Sequence, residues 1–147
     1  MKLQFRHQKF QADAANAVCE VFAGQPNGSA KYLLDQGSSG YVSGAEDITF
    51  DSFGWGNRKL VPELTDSAIL ANIRRIQLAN GLAPSEKLEG RYNLTIEMET
   101  GVGKTYTYIK TMYELNKRYG WSKFIIVVPS IAIREGVYKS FSVTQEH

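Results

Sequence analysis

The sequence predicts an α/β fold, part of a doubly wound parallel sheet. Three observations carry that prediction. An apolar, β-prone run, Leu94-Thr95-Ile96, leads into a glycine-rich loop, and a helical pattern from Tyr106 to Tyr119 leads out of it. Phe124-Ile125-Ile126-Val127-Val128 is a continuous apolar run bounded by Lys123 and Pro129, the composition of a strand buried on both faces of a parallel sheet. A further helical stretch follows, so the order is strand, loop, helix, strand, helix, which opens a doubly wound domain.

Bulk composition narrows the classes. The chain has 147 residues, about one domain. Hydrophobic residues make up 43% and charged residues 22%, ordinary for a soluble globular protein. No apolar run approaches the roughly 20 residues that span a bilayer, so no membrane partner is expected. Met1 to His7 has no long apolar core and does not read as a secretory signal. Cys19 is the only cysteine, which excludes an internal disulfide and fits a reducing, cytoplasmic compartment. It lies on an apolar helical face, where a small buried thiol is the ordinary role. Net charge is +2, too mild to argue for nucleic acid by itself, though its sign does not oppose DNA. Two histidines and one cysteine, none in ligand spacing, make no protein-bound zinc site.

The elements follow in order. Residues 8–23 predict a first helix, with Phe10, Ala14, Ala17, Val18, Val21 and Phe22 on one face. Gly24, with Pro26 after it, ends that helix. Residues 25–63 are rich in Gly, Ser, Asn and Asp, broken by Tyr32-Leu33-Leu34, Tyr41-Val42 and Ile48-Thr49-Phe50. They read as an insertion with two or three short strands and a turn at Phe53-Gly54-Trp55-Gly56-Asn57, because a coil of that length is unusual in a domain. Residues 66–80 predict a second helix capped by Thr65 or Asp66, with Ile69, Leu70, Ile73 and Ile76 as its apolar stripe and Gly81 as its stop. Residues 93–98 form the first strand, and 104–118 a helix burying Tyr108, Met112 and Leu115. After Phe124–Val128, Ser130 caps a last helix from Ile131 to Ser140.

The chemistry concentrates in Thr100-Gly101-Val102-Gly103-Lys104-Thr105. Strand, glycine loop and helix in that order separate a phosphate-binding loop from a chance match. Gly101 and Gly103 let backbone N–H groups approach phosphate oxygens with no Cβ in the way. A helix beginning near Lys104 aims free N–H groups and its positive end at the same anion. Lys104 adds a charge for the β- and γ-phosphates, and Thr105 offers a hydroxyl to Mg²⁺. The ligand this predicts is a nucleoside triphosphate with Mg²⁺. Met98 stands where the general pattern G-x-x-x-x-G-K-S/T has its first glycine. The remaining form, T-G-x-G-K-T, is similar to the variant used by superfamily 2 helicases and translocases.

Two further constellations carry less on their own. Phe10-Gln11 resembles the aromatic-Gln pair with which many superfamily 2 motors read adenine, since an amide carries a donor beside an acceptor. Many relatives place Arg three residues before that Gln; here the place holds Gln8, with Arg6 further out. By pattern alone the pair reads as a core Phe beside a surface Gln on an amphipathic helix; the glycine loop downstream is what favours the adenine role. Val128-Pro129-Ser130-Ile131-Ala132-Ile133-Arg134 follows the second apolar run, where such motors touch the backbone of the tracked strand. Ser130 and Arg134 suit a phosphate. A serine cap and a solvated Arg are the plain alternative.

Together these stretches are similar to the N-terminal part of the restriction (Res) subunit of type III restriction-modification enzymes. The carrying residues are Phe10-Gln11 with Ala14, then Asn72-Ile73 and Ile76-Gln77, the whole run Asn93 to Tyr106, Tyr113 to Gly120, and Lys123 to Val137. The resemblance covers most of the chain, is strongest from Asn93 onward, and is slight over 25–63. Val102 stands where relatives often have Thr, a mild change in a loop that works through its backbone.

The resemblance implies a RecA-like phosphate-loop fold and a two-lobed, ATP-driven translocase on double-stranded DNA with a C-terminal nuclease. It also implies a modification (Mod) methyltransferase subunit as partner. It assigns Thr100, Gly101, Val102, Gly103, Lys104 and Thr105 to ATP, Thr105 also to Mg²⁺, Gln11 to adenine, and Ser130 and Arg134 to the DNA backbone. The 147 residues contain no Asp-Glu-x-His box, second motor lobe or Pro-Asp…Glu-x-Lys nuclease pattern; Asp47 and Asp51 precede the loop and do not fit the first. Phosphoryl transfer needs positioned metal, water and charge together. The expectation is therefore a fragment: the N-terminal part of the first ATP-binding domain, with an insertion at about 25–63 and the later motor and nuclease domains absent. Its second apolar run would leave an unpaired edge. Another superfamily 2 helicase, a type I restriction motor, or a non-catalytic nucleotide-binding remnant are the alternatives.

Overall fold

Four helices among the described residues close on local signals. The computed structural model describes residues 8–27, 57, 59–90 and 92–144. Helix α1 is Lys9–Val21, α2 is Asp66–Ala79, α3 is Lys104–Tyr119 and α4 is Ile131–Thr144. Thr65 caps α2, its hydroxyl accepting from the Ala68 N–H at 3.3 Å. Gly120, left-handed at φ 75°, ends α3, and Lys117 and Arg118 in the last turn suit the negative end of the helix dipole. The short strands expected between 28 and 56, the Phe53–Gly56 part of the expected turn, Asp47, Asp51 and Met1–His7 lie outside the described residues.

Helix α1 is the hub, packing against both α3 and α2, while α4 leans on α3. Its buried stripe is Gln11, Ala15, Cys19 and Val21, with Phe10 left 45% exposed. The expected face holds at its end, where Val21 is buried and Phe22 packs on both cores, but at its start it is turned by one residue, from Phe10 and Ala14 to Gln11 and Ala15. Ala15 and Cys19 are small and let the helix axes approach closely; the ring of Phe10 would hold them apart. One core joins Cys19, Leu115, Tyr119 and Trp121, and another joins Val21, Leu64 and Ile69. Phe22 packs against both and meets Trp121 edge-on at 5.0 Å.

Side-chain amides hold much of the irregular backbone. Gln25 donates to the Lys59 carbonyl and accepts from the Val61 N–H. Asn57 donates to the Lys123 carbonyl and accepts from the N–H groups of Ser122 and Lys123. Asn72 donates to the carbonyls of Val21 and Ala23, tying α2 to the end of α1.

The expected α/β parallel sheet is not formed: the described residues are all-helical, with no strand. Leu94–Met98 and Phe124–Val128 make no backbone–backbone hydrogen bonds among the described residues. Ile125 is 93% and Val127 89% exposed, the reverse of a strand buried on both faces. A helix satisfies its N–H and C=O groups within its own run, whereas a strand needs a neighbour about 4.8 Å away. The two runs do share one feature. Ile96 and Met98 from the first, and Phe124 to Val127 from the second, line an open groove of about 460 Å³ against Tyr108 and Met112 of α3.

Candidate functional site

The site is the turn that feeds α3. Gly101 and Gly103 have φ of 82° and 87°, the left-handed region that L side chains rarely adopt. Gly103 is the N-cap of α3, and its carbonyl accepts from the Thr107 N–H at 3.0 Å and from the Thr107 hydroxyl at 3.2 Å. This carbonyl opens the hydrogen-bond ladder of the helix, so the end ahead of Thr107 is polarised positive. Lys104 is the first helical residue, exposed, and no ion pair holds it among the described residues. Thr105 follows it in the first turn. No group of three His, Cys, Asp or Glu side chains gathers into a metal site among the described residues. What the turn offers an anion is backbone N–H groups, one lysine charge and a threonine hydroxyl.

Helix α1 reaches both ends of α3. At the loop end the Gln11 amide donates from Nε2 to the Val102 carbonyl at 2.8 Å, and the residue is only 8% exposed. At the far end the Tyr119 hydroxyl donates to the Cys19 carbonyl at 2.8 Å. Arg118 pairs with Glu20 and Glu114 and donates to Asn16. Glu20 also takes Arg75 of α2 at 3.0 Å. Burial pushes the Cys19 thiol up to about 11, so it is a packing group and not a nucleophile. The same burial raises the Tyr119 phenol.

The structure brings Gln11 and the Thr100–Thr105 loop together, although 91 residues separate Gln11 from Val102. Ser130 and Arg134 make no hydrogen bond or ion pair to that loop among the described residues. The Ser130 hydroxyl accepts from the Ile133 N–H at 3.3 Å, capping α4. Arg134 pairs with its neighbour Glu135 at 2.9 Å, both well exposed. Sequence reasoning missed that the amide of Gln11 would be occupied by the loop's own backbone. A spacing of that size carries no local signal for such a contact.

The class of protein this geometry defines is a helical chain presenting a glycine turn on a helix N-terminus, the arrangement that receives anions. The family model for "Type III restriction enzyme, res subunit" matches residues 5–147, and the chain belongs to that family. It is 43% identical over 76 residues to the Escherichia coli type III restriction-modification enzyme EcoP15I Res subunit, covering 50% of this chain and 8% of that relative. It is 42% identical over 78 residues to the EcoPI Res subunit of Escherichia phage P1, covering 50% of this chain and 8% of that relative. Over 51 residues it is 51% identical to the StyLTI Res subunit of Salmonella typhimurium, covering 35% of this chain and 5% of that relative. The matched stretch is thus a small part of each curated relative. No helix among the described residues is long and apolar enough to cross a membrane.

Proposed function

We propose that this chain is the nucleotide-binding part of an ATP-dependent DNA translocase subunit in a type III restriction system. The observation that carries the reading is the pair of left-handed glycines directly ahead of α3, with Lys104 exposed at the helix's first position. Gly101, Val102 and Gly103 supply backbone N–H groups to the phosphates, Thr100 opens the turn, and Lys104 supplies charge. Thr105 holds Mg²⁺ through its hydroxyl, and the metal's chemistry when bound is to neutralise triphosphate charge. Gln11 reads adenine through Oε1 and its remaining N–H, which take no partner among the described residues.

The chain stands as the N-terminal part of a longer enzyme's first ATP-binding domain, with the insertion at about 25–63. That enzyme acts in the cytoplasm on double-stranded DNA with a Mod partner, as an ATP-dependent type III deoxyribonuclease. Ser130 and Arg134 turn to DNA phosphates there. Releasing Arg134 from Glu135 costs little, since exposed pairs are worth about 0–1 kcal/mol. The 147 residues alone bind nucleotide without steady turnover, because they hold no acidic box to position metal and water.

Titration of ATP with Mg²⁺ into the full chain tests this. The wild type binds, and Lys104→Ala weakens binding about 10- to 100-fold, the worth of a hydrogen bond to a charged group. Equal binding by the two proteins sinks the reading. Steady DNA-stimulated turnover that Lys104→Ala abolishes sinks the claim that these residues are only a part.

A further inference from the structure

The peptide joining Val102 to Gly103 is trans, so its C=O and N–H point to opposite sides. Gln11 takes the C=O from the α1 side at 2.8 Å. The Gly103 N–H must then point away from α1, and it has no partner among the described residues. A flip of this one peptide would turn a carbonyl oxygen to the side the N–H now faces and repel an anion there. Gly103 also makes room for the amide. A Cβ built on it would stand 2.7 Å from Gln11 Nε2, a separation that real Cβ atoms essentially never show. Gln11 is buried and carried on a helix whose other end is fixed to α3 by Tyr119 and Arg118. The amide is therefore delivered to the loop from a rigid support, as positioning groups require.

We infer that Gln11 is a positioning residue for the phosphate loop: its amide fixes the orientation of the Val102–Gly103 peptide, whichever base the nucleotide carries. The inference rests on the nucleotide-binding reading for its purpose, but the latch itself exists without ligand. It differs from base recognition in a measurable way. A base-reading amide matters only to ligands with a base. A loop-setting amide matters to any polyphosphate, and to the empty loop.

The experiment compares the full chain with Gln11→Met, which keeps the side chain's length and removes the donor, and with Gln11→Ala. Amide hydrogen exchange over residues 99–106 is read without ligand, and binding of inorganic tripolyphosphate and of ATP with Mg²⁺ is read by titration. Both variants exchange faster over this loop and bind tripolyphosphate about 5- to 10-fold more weakly, the worth of one net hydrogen bond. Thermal melting identifies a variant that fails to fold, and the other then carries the comparison. Unchanged loop exchange, or a loss confined to ATP with tripolyphosphate unaffected, overturns the inference; the second result leaves adenine recognition standing. A wild type that binds neither ligand refutes the nucleotide reading, and faster loop exchange in the variants still upholds the latch.

Discussion

Helix α3 has two sides with opposite fates. Against α1 it is finished: Leu115 and Tyr119 are buried with Cys19 and Trp121, and charged groups are paired around the rim. Against Leu94–Met98 and Phe124–Val128 it is open, with Tyr108 and Met112 on a groove and the buried Tyr108 hydroxyl without a partner among the described residues. Both sides are apolar in sequence. The difference teaches that apolarity alone does not make a core; it takes a partner whose own hydrogen bonds are already closed. Helix α1 arrives with its backbone satisfied, so small side chains can seat it directly. The two apolar runs make no backbone–backbone hydrogen bond among the described residues. The glycine turn sits where the sides meet, and it is pinned from the finished one.

The largest expected effect lies on the finished side. Trp121 packs against Phe22 and Tyr119, at ring separations of 5.0 and 5.3 Å. Trp121→Ala should cost about 3–5 kcal/mol in denaturant unfolding, as truncation of a buried aromatic does. A loss under 1 kcal/mol would show that this side is no better packed than the other.

Alkali should reach the same seam with a smaller effect. The folded Cys19 thiol titrates near 11 against an ordinary value of 9.0. Its contribution is present below pH 9 and fades as pH rises from about 9 through 11, because the unfolded thiol ionises first and binds fewer protons. Stability should therefore fall across that window, and Cys19→Ala should flatten the fall. Part of the slope should persist, since the Tyr119 phenol is raised too. An identical slope in Cys19→Ala would remove the thiol from the account.

The smallest effect belongs to the open side. Ile125→Ser and Val127→Ser remove side chains that are 93% and 89% exposed, so each should shift unfolding by less than about 0.5 kcal/mol. A loss above 1 kcal/mol from either would break the contrast by showing that the groove is closed in solution.

Much of the site was legible because its signals are local. The loop from Thr100 to Thr105 was readable from two glycines, a lysine and a threonine in fixed spacing, and the structure gives both glycines left-handed backbone. Ser130 was readable as a cap, and it caps α4. The Gln11 contact was not readable, since it depends on how α1 is rotated on α3. The expected face was off by one residue at its Phe10 end for the same reason: small Ala15 and Cys19, and not the large ring, decide how closely two helices approach.

The sequence by itself determined where helices begin and where the glycine turn lies, but not every helix end: α4 was expected to stop at Ser140 and runs to Thr144. A helix closes its hydrogen bonds three or four residues away, so its limits are written in adjacent residues such as Thr65, Gly103, Gly120 and Ser130. Only the tertiary structure decided that Leu94–Met98 and Phe124–Val128 stay unpaired among the described residues, which stripe of α1 is buried, and that the amide of Gln11 rests on the glycine turn. Each of those depends on a partner distant in the chain, and periodicity records only that a segment has an apolar side, never what will be there to meet it.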